Sequence, residues 1–218
     1  MAKRYDLIVF DWDGTLMDST AVIAASIQAA CRDLGLTVPG DAAARHVIGL
    51  GLIQALRCAV PDAPESSYEP LVARYRHHFL AQDQAIPLFG GARETIAELH
   101  DAGYWLGVAT GKSRAGLDRA LTSTDLKPYF HATRTADQSF SKPDPAMLLE
   151  LMDELAVNTG RALMIGDTTH DVQMAQNAGV DAVAIGHGAH PPEQLQELSP
   201  LALVRNFTEL RAWLKANA

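Results

Sequence analysis

Residues 7–16 of the chain read LIVFDWDGTL, in which four consecutive apolar residues run directly into two aspartates, Asp11 and Asp13. A short apolar run of this kind, bounded by polar residues and glycine, is typical of a strand covered on both faces in a parallel sheet. Ligands of such sheets bind at the carboxyl ends of the strands, where both aspartates are expected. Because residues two apart in extended chain point the same way, the two carboxylates can address one small volume, and Gly14 lets the chain turn away after them. An acidic turn after an ordinary strand is the alternative interpretation of this segment alone.

The composition is that of a globular protein, with 48% hydrophobic and 20% charged residues among 218. A net charge of −8 argues against nucleic acid as the main partner. Cys31 and Cys58 have neither metal-type spacing nor a disulfide framework, which favours a reducing compartment. The basic start is followed by too few apolar residues for a signal peptide, and no run reaches the roughly 18 that a membrane span needs. We expect a cytoplasmic monomer or homodimer that does not bind membranes.

Helical periodicity follows the first strand and continues to the cluster Ile86-Pro87-Leu88-Phe89-Gly90-Gly91, whose proline and glycines cannot continue a helix. Beyond this cluster, predicted helices and strands alternate to the end of the chain. Such alternation predicts right-handed crossovers and a doubly wound, mostly parallel α/β sheet. We place a core domain at residues 1–16 and 87–218 and an inserted α-helical cap domain at residues 17–86.

Polar residues recur where strands are predicted to end or helices to begin. The segments are Thr110-Gly111-Lys112, Lys142-Pro143-Asp144-Pro145 and Gly166-Asp167-Thr168-Thr169-His170-Asp171. Each alone has an ordinary explanation as a turn or a helix cap, Asp171 for example as the acidic half of a capping box. Together with the first segment, they all lie at the end of a predicted strand or the start of a predicted helix, which ordinary turns do not explain. This pattern predicts one catalytic site.

In this order the four segments resemble the motifs of the haloacid dehalogenase superfamily of aspartate-nucleophile phosphohydrolases. Asp11-Trp12-Asp13-Gly14-Thr15 is similar to the nucleophile motif, Thr110 to the second motif, Lys142 to the third, and Gly166-Asp167 with Asp171 to the acidic fourth. The position of the helical insert resembles the phosphoglycolate phosphatase and β-phosphoglucomutase branch. The resemblance implies a Rossmann-like core with a helical cap, and it suggests a cis peptide bond between Lys142 and Pro143.

The chemistry of these residues and the resemblance agree on a mechanism. Asp11, which is ionised at neutral pH, attacks phosphorus and forms an acyl phosphate. Asp13 protonates the leaving oxygen and then activates water, a role typically worth about 10² to 10⁴-fold. The Thr110 hydroxyl, the Gly111 amide and the Lys142 ammonium are expected to bind the substrate's phosphoryl oxygens and to stabilise the charge that builds on them.

Charge counting predicts a metal ion in this site. Four aspartates bring four negative charges, Lys142 returns one positive charge, and a phosphate monoester adds about −1.5 to −2 more. Mg²⁺ suits a few carboxylates together with waters and a phosphate oxygen, and we expect Asp11 and Asp167 as its side-chain ligands. The resemblance implies the backbone carbonyl of Asp13 as a third ligand. It also implies that Asp171 holds a metal-bound water or Lys142 from outside the ligand set.

Other residues are weaker candidates. Arg45, near the predicted Gly49 bend of the cap, is the candidate for binding the substrate's leaving group, and a solvated helix face is the alternative. His170 lies within the fourth motif but receives no role from it. A place at the pocket border is the less favoured interpretation of His187 and His190.

We predict a Mg²⁺-dependent phosphatase that acts on a small phosphorylated metabolite, with 2-phosphoglycolate as the leading substrate. A phosphomutase of the β-phosphoglucomutase type is the main alternative, and a non-enzymatic binding protein on the same fold is the third. Dehalogenase activity is disfavoured because Asp13 occupies the acid/base position that phosphoryl transfer needs. The motifs do not identify the alcohol that leaves.

Overall fold

The computed structural model describes residues 3–218. Its strands are β1 (Leu7–Phe10), β2 (Trp105–Thr110), β3 (Ala132–Thr135), β4 (Ala162–Gly166), β5 (Asp181–Ile185) and β6 (Ala202–Val204). They form one six-stranded sheet in the order β3-β2-β1-β4-β5-β6. Every neighbouring pair of strands is parallel. Strand β3 begins two residues later than the apolar pattern around Phe130 predicts, because Lys127–Tyr129 form a 3-10 turn.

The helices are α1 (Thr20–Asp33), α2 (Asp41–His46), α3 (Leu52–Ala59), α4 (Tyr68–Leu80), α5 (Ala92–Asp101), α6 (Arg114–Ser123), α7 (Ala146–Glu154), α8 (Thr169–Ala178), α9 (Pro192–Glu197) and α10 (Phe207–Asn217). Buried side chains of α5, α6 and α10 pack on one face of the sheet, and those of α7, α8 and α9 pack on the other. The predicted doubly wound, parallel α/β core is therefore confirmed. No helix among residues 3–218 has both the length and the apolar character needed to cross a membrane.

Strand β1 lies in the middle of the sheet, and its sequence explains why. Ile8 and Phe10 belong to the apolar cluster on one face, whereas Leu7 and Val9 belong to the cluster on the other face. All four side chains are fully buried. An unbroken apolar run is what a strand needs when helices cover both faces of its sheet. The same placement brings the residues that follow β1 to the carboxyl edge of the sheet, between β2 and β4.

Helices α1 to α4 lie between β1 and α5 in the chain, and α1 packs against both α2 and α4. The chain enters and leaves this helical insert at one place. There the Asp18 N–H donates to the Pro87 carbonyl at 2.9 Å, and the Phe89 N–H donates to the Leu16 carbonyl at 2.9 Å. The two crossings thus run side by side, and the division into domains at residues 16/17 and 86/87 stays a prediction.

Candidate active site

The four polar segments meet at the carboxyl edge of the sheet. Asp11 follows β1 directly, Thr110 ends β2, Asp167 follows β4, and Asp171 lies in the first turn of α8. Lys142 comes from the loop between β3 and α7. Strands β1, β2 and β4 are neighbours in the sheet, so their ends are neighbours too. Carboxylate oxygens of Asp11, Asp167 and Asp171 lie within 4.8 Å of one another.

Lys142 is a fully buried cation held between two buried carboxylates. Its Nζ donates to Asp11 Oδ1 at 2.6 Å and to Asp171 Oδ1 at 2.6 Å, and its peptide bond to Pro143 is cis. Burial disfavours the charged ammonium, but the two carboxylates outweigh burial and raise the pKa of Lys142 above its ordinary value. The lysine is therefore charged, and its ammonium is aimed at the nucleophile position.

Asp171 both caps helix α8 and binds Lys142, so the two interpretations of this residue hold at once. Its Oδ2 accepts hydrogen bonds from the Thr168 N–H at 3.0 Å and from the Thr168 hydroxyl at 2.7 Å. Its Oδ1 accepts from Lys142. Burial acts to raise the pKa of Asp171, but the attraction of Lys142 and the bonds from Thr168 hold it below its usual value. With both oxygens engaged, Asp171 is placed to orient Lys142.

Asp167 accepts two hydrogen bonds and is closely surrounded by the backbone of two glycines. Its Oδ1 accepts from the Thr15 hydroxyl at 2.6 Å, and its Oδ2 accepts from the Ala189 N–H at 2.7 Å. A Cβ placed on Gly14 would lie 2.3 Å from Oδ2, and one on Gly188 would lie 2.0 Å from it. Only glycine therefore allows the chain to approach this carboxylate so closely. Burial, together with repulsion from a neighbouring carboxylate, raises the pKa of Asp167 to about 7.

The acidic cluster fits a divalent cation. Asp11 Oδ2 is buried and has no hydrogen-bond partner among residues 3–218. Burial raises the pKa of Asp11 well above its usual range; Lys142 opposes this rise, whereas Asp171 and Asp167 add to it. Burial first, and then repulsion between carboxylates, raise both pKa values, and positive charge beyond that of Lys142 would oppose this rise. An oxygen-binding cation such as Mg²⁺ would supply that charge, and the unpartnered oxygen of Asp11 offers it a ligand.

Asp13 faces the same cavity as Asp11 and is held by two donors. Its Oδ1 accepts from the Ser19 hydroxyl at 2.7 Å and pairs with Lys112 Nζ at 3.0 Å. Lys112, which sequence reasoning left without a role, thus brings a second cation to the site. The signal for it was its place two residues after Thr110, where β2 ends.

A cavity of about 950 Å³ opens above these residues, between the sheet and the helical insert. Asp11, Asp13, Thr110 and Gly111 all line it, as the sequence predicts for one site. A Cβ on Gly111 would lie 2.4 Å from the carbonyl oxygen of Leu50, so this approach between core and insert requires glycine. The helical insert therefore covers the catalytic candidates from the opposite side of the cavity.

Of the predicted substrate-binding residues, Lys142 and Arg45 do not line this cavity; Lys142 is buried against Asp11, whereas Arg45 lies on α2. Its guanidinium donates to Asp41 at 2.8 Å and to the Thr20 hydroxyl at 3.0 Å. Because its charge is met within the protein, the arrangement does not support the role predicted for it. His187 and His190 also lie outside the cavity lining.

Known proteins share both the sequence and the fold described above. Residues 8–185 match the family of haloacid dehalogenase-like hydrolases. The "Probable phosphatase IndB" of Dickeya dadantii is 35% identical over 94% of this chain and 91% of its own length. A phosphoglycolate phosphatase of Yersinia pestis is 30% identical over 93% of this chain and 90% of its own. The crystal structure of a hydrolase from Pseudomonas syringae has the same fold, with a TM-score of 0.89 at 20% identity and coverage of 97% and 98%. The chain therefore belongs to the haloacid dehalogenase-like hydrolase family and is a phosphoric monoester hydrolase.

Proposed function

We propose that the protein hydrolyses a phosphate monoester in two steps, through a phosphorylated Asp11, and that Mg²⁺ is its cofactor. The observation that supports this proposal most is the surroundings of the two carboxylate oxygens of Asp11. One of its oxygens is held at 2.6 Å by the buried ammonium of Lys142, and the other is buried without a partner among the described residues. A carboxylate held in this way keeps free lone pairs at a fixed place in the cavity, as a nucleophile requires.

The first step forms a bond between Asp11 and phosphorus and breaks the bond between phosphorus and the leaving oxygen. Asp13, steadied by Ser19 and Lys112, gives its proton to that oxygen. In the second step Asp13 takes a proton from water, which attacks the phosphorus and frees Asp11. Thr110, the Gly111 amide and Lys142 bind the phosphoryl oxygens throughout.

Asp11, Asp167 and the backbone carbonyl of Asp13 would hold the metal ion. When bound, Mg²⁺ supplies positive charge that offsets the carboxylates and the incoming phosphate. Asp171 is assigned to Lys142 and not to the metal, because one of its oxygens pairs with the Lys142 ammonium and the other caps α8, whereas Asp167 accepts only from neutral donors. Thr15 and Ala189 fix the orientation of Asp167 from behind.

The substrate is a small phosphorylated metabolite. The name of the Yersinia pestis relative makes 2-phosphoglycolate the first ester to test. We retain the cytoplasm as the expected location and a monomer or homodimer as the expected state.

The proposal is tested by measuring phosphate release from a panel of esters, including 2-phosphoglycolate, with Mg²⁺ and with a chelator. An Asp11→Asn variant purified in parallel measures contaminating activity. We expect release that requires both Mg²⁺ and Asp11. Equal release in the presence of chelator would exclude the metal. Conversion of a sugar 1-phosphate to its isomer, with a bisphosphate activator and little free phosphate, would show a mutase instead.

A further inference from the structure

We propose that the preferred substrate carries a large apolar alcohol as its leaving group, much larger than the two-carbon group of 2-phosphoglycolate. This inference rests on the proposed phosphatase function and narrows its substrate class. The alcohol would lie against what we call the apolar wall, formed by Ile23, Ile27, Ile48, Leu50, Phe79 and Leu80.

The size of the cavity is the first argument. Pockets of about 300–1,000 Å³ typically bury ligands of drug size, and this cavity measures about 950 Å³. The phosphate must sit beside Asp11, at the sheet end of the cavity. A glycolate group attached there would leave most of the volume filled with water. A larger alcohol would displace that water, and the gain grows with the apolar area that it covers.

The chemistry of the apolar wall is the second argument. Its residues come from α1, from the segment between α2 and α3, and from α4, so three parts of the insert present aliphatic or aromatic side chains to one space. Leu80 remains 47% exposed, and Ile53, which also lines the cavity, remains 49% exposed. The other five residues of the apolar wall are buried, with 1–8% exposure, so Leu80 and Ile53 carry the uncovered apolar surface. Large apolar side chains that border a cavity and stay uncovered favour an apolar occupant.

The apolar wall is fixed in place by contacts with the core. The carbonyl of His46 accepts from His170 Nε2 at 2.9 Å and from His190 Nε2 at 3.0 Å. Five residues further on, the Gly51 N–H donates to the Ser141 hydroxyl at 2.7 Å. The segment that carries Ile48 and Leu50 is therefore anchored at both ends, and the cavity is shaped before a substrate arrives.

The charges around the cavity give the third argument. Lys112 pairs with Asp13 at 3.0 Å. At the rim, Arg119 pairs with Asp83 at 3.3 Å, and Arg57 pairs with Glu65.

Arg76 also lines the cavity; it is exposed and forms no ion pair within residues 3–218, so it is the one lining cation whose charge is not met within that part of the chain. Away from Arg76, the carboxylate of 2-phosphoglycolate, one carbon away from the ester oxygen, would meet apolar side chains or cations that are already paired. Burying a charge in such surroundings is unfavourable.

The test compares kcat/KM across linear alkyl phosphates from ethyl to octyl, all below their micellar concentrations, with phenyl phosphate, naphthyl phosphate and 2-phosphoglycolate. We expect kcat/KM to rise about three- to fourfold for each added methylene group until the cavity is filled. Naphthyl phosphate should exceed phenyl phosphate, and 2-phosphoglycolate should not exceed ethyl phosphate.

Matched leucine variants locate the effect. Leu80 is 47% exposed on the apolar wall, and Leu149 is 46% exposed on α7, outside the cavity. Leu80→Gln should flatten the dependence on chain length, whereas Leu149→Gln should keep the wild-type slope. Circular dichroism of both variants checks that they are folded.

Each remaining outcome counts against a different claim. A kcat/KM for 2-phosphoglycolate that matches or exceeds that of octyl phosphate overturns the inference and leaves the phosphatase function in place. Equal slopes for the two leucine variants overturn the assignment of the apolar wall. Failure of every ester to release phosphate overturns the proposed function itself.

Discussion

The floor and the wall of the cavity are built in opposite ways. The floor, where Asp11 and Asp13 line the cavity, rests on charges removed from water: Lys142, Asp167 and Asp171 are fully buried next to it, and each is held by hydrogen bonds or ion pairs. The side chains of the apolar wall form no hydrogen bonds, and they bind a substrate through their shape and the apolar area that it covers. A change in the floor leaves a buried charge without its partner, which is costly. A change in the apolar wall alters how much apolar surface a substrate covers, and the free-energy change for each residue is far smaller.

The largest effect should follow from Asp11→Asn, which removes the nucleophile and one charge from the floor without changing its volume. We expect turnover to fall on the order of 10⁴-fold or more, as for other catalytic nucleophiles. Steady-state phosphate release measures the loss, and circular dichroism shows whether the fold is kept. Near-normal turnover in a folded variant would show that another group attacks phosphorus.

Asp13→Asn should have a smaller effect of about 10² to 10⁴-fold, because it removes proton transfer but keeps the nucleophile. With an ester whose leaving group needs no proton, the first step should proceed while the second is slowed. Acid quenching followed by peptide mass spectrometry should then find phosphate on the peptide that contains Asp11. Dephosphorylation at the wild-type rate would assign the base to a different residue.

Magnesium should stabilise the protein more at pH 8 than at pH 5. The pKa of Asp167 is about 7 in the fold, against an ordinary value of 3.8. Between these two values the folded protein binds more protons than the unfolded chain, so without metal this group contributes less stability as the pH rises. At pH 5 protons occupy the site, and at pH 8 the metal replaces them.

Thermal unfolding with Mg²⁺ and with chelator, at both pH values, measures this difference. We expect a rise in Tm of about 5–10 °C at pH 8 when Mg²⁺ is about 100-fold above its Kd. Asp167→Asn serves as the control and should lose the response. A Tm rise that is equal at both pH values would contradict the assignment of Asp167 as a ligand.

The smallest effect should come from Arg45→Ala. This arginine forms an i,i+4 pair with Asp41 outside the cavity, and such pairs contribute about 0.3–0.5 kcal/mol. We expect kcat/KM to change by less than about twofold, because this pair contributes to the stability of α2 and not to the binding of a substrate in the cavity. Lys112→Ala removes a cation that lines the cavity and should cost more activity. The reverse order of the two variants would return Arg45 to the substrate site.

Part of the floor was predictable from sequence because some of its residues end a strand or directly follow one, and parallel strands bring their ends together whatever the loops between them do. That rule places Asp11, Thr110 and Asp167 at one edge. The ion pair between Lys112 and Asp13 was not predictable, because the spacing does not say where a long side chain points. The pairing of Arg45 with Asp41 was predictable, since Asp41 lies four residues earlier on the same helix.

The apolar wall could not be predicted as a surface. Ile23 and Phe79 each show the helical periodicity of ordinary core residues, and nothing in either segment says that they border one cavity. Their meeting depends on how α1 and α4 pack, a property of two helices that are distant in sequence. Sequence therefore indicates the chemistry of this enzyme better than it indicates the substrate.

The central position of β1 has a consequence for how the enzyme is made. Leu7 leaves the ribosome before both of its partners in the sheet, which are Trp105 on one side and Ala162 on the other. Helices α1 to α4 contact one another over shorter stretches of chain and can associate during synthesis. The apolar strand that leads to the nucleophile must wait for β4 before it is enclosed on both sides. We therefore expect a nascent chain to gain activity abruptly, after β4 has emerged. Until then the apolar strand β1 should stay exposed, as a segment that chaperones can bind.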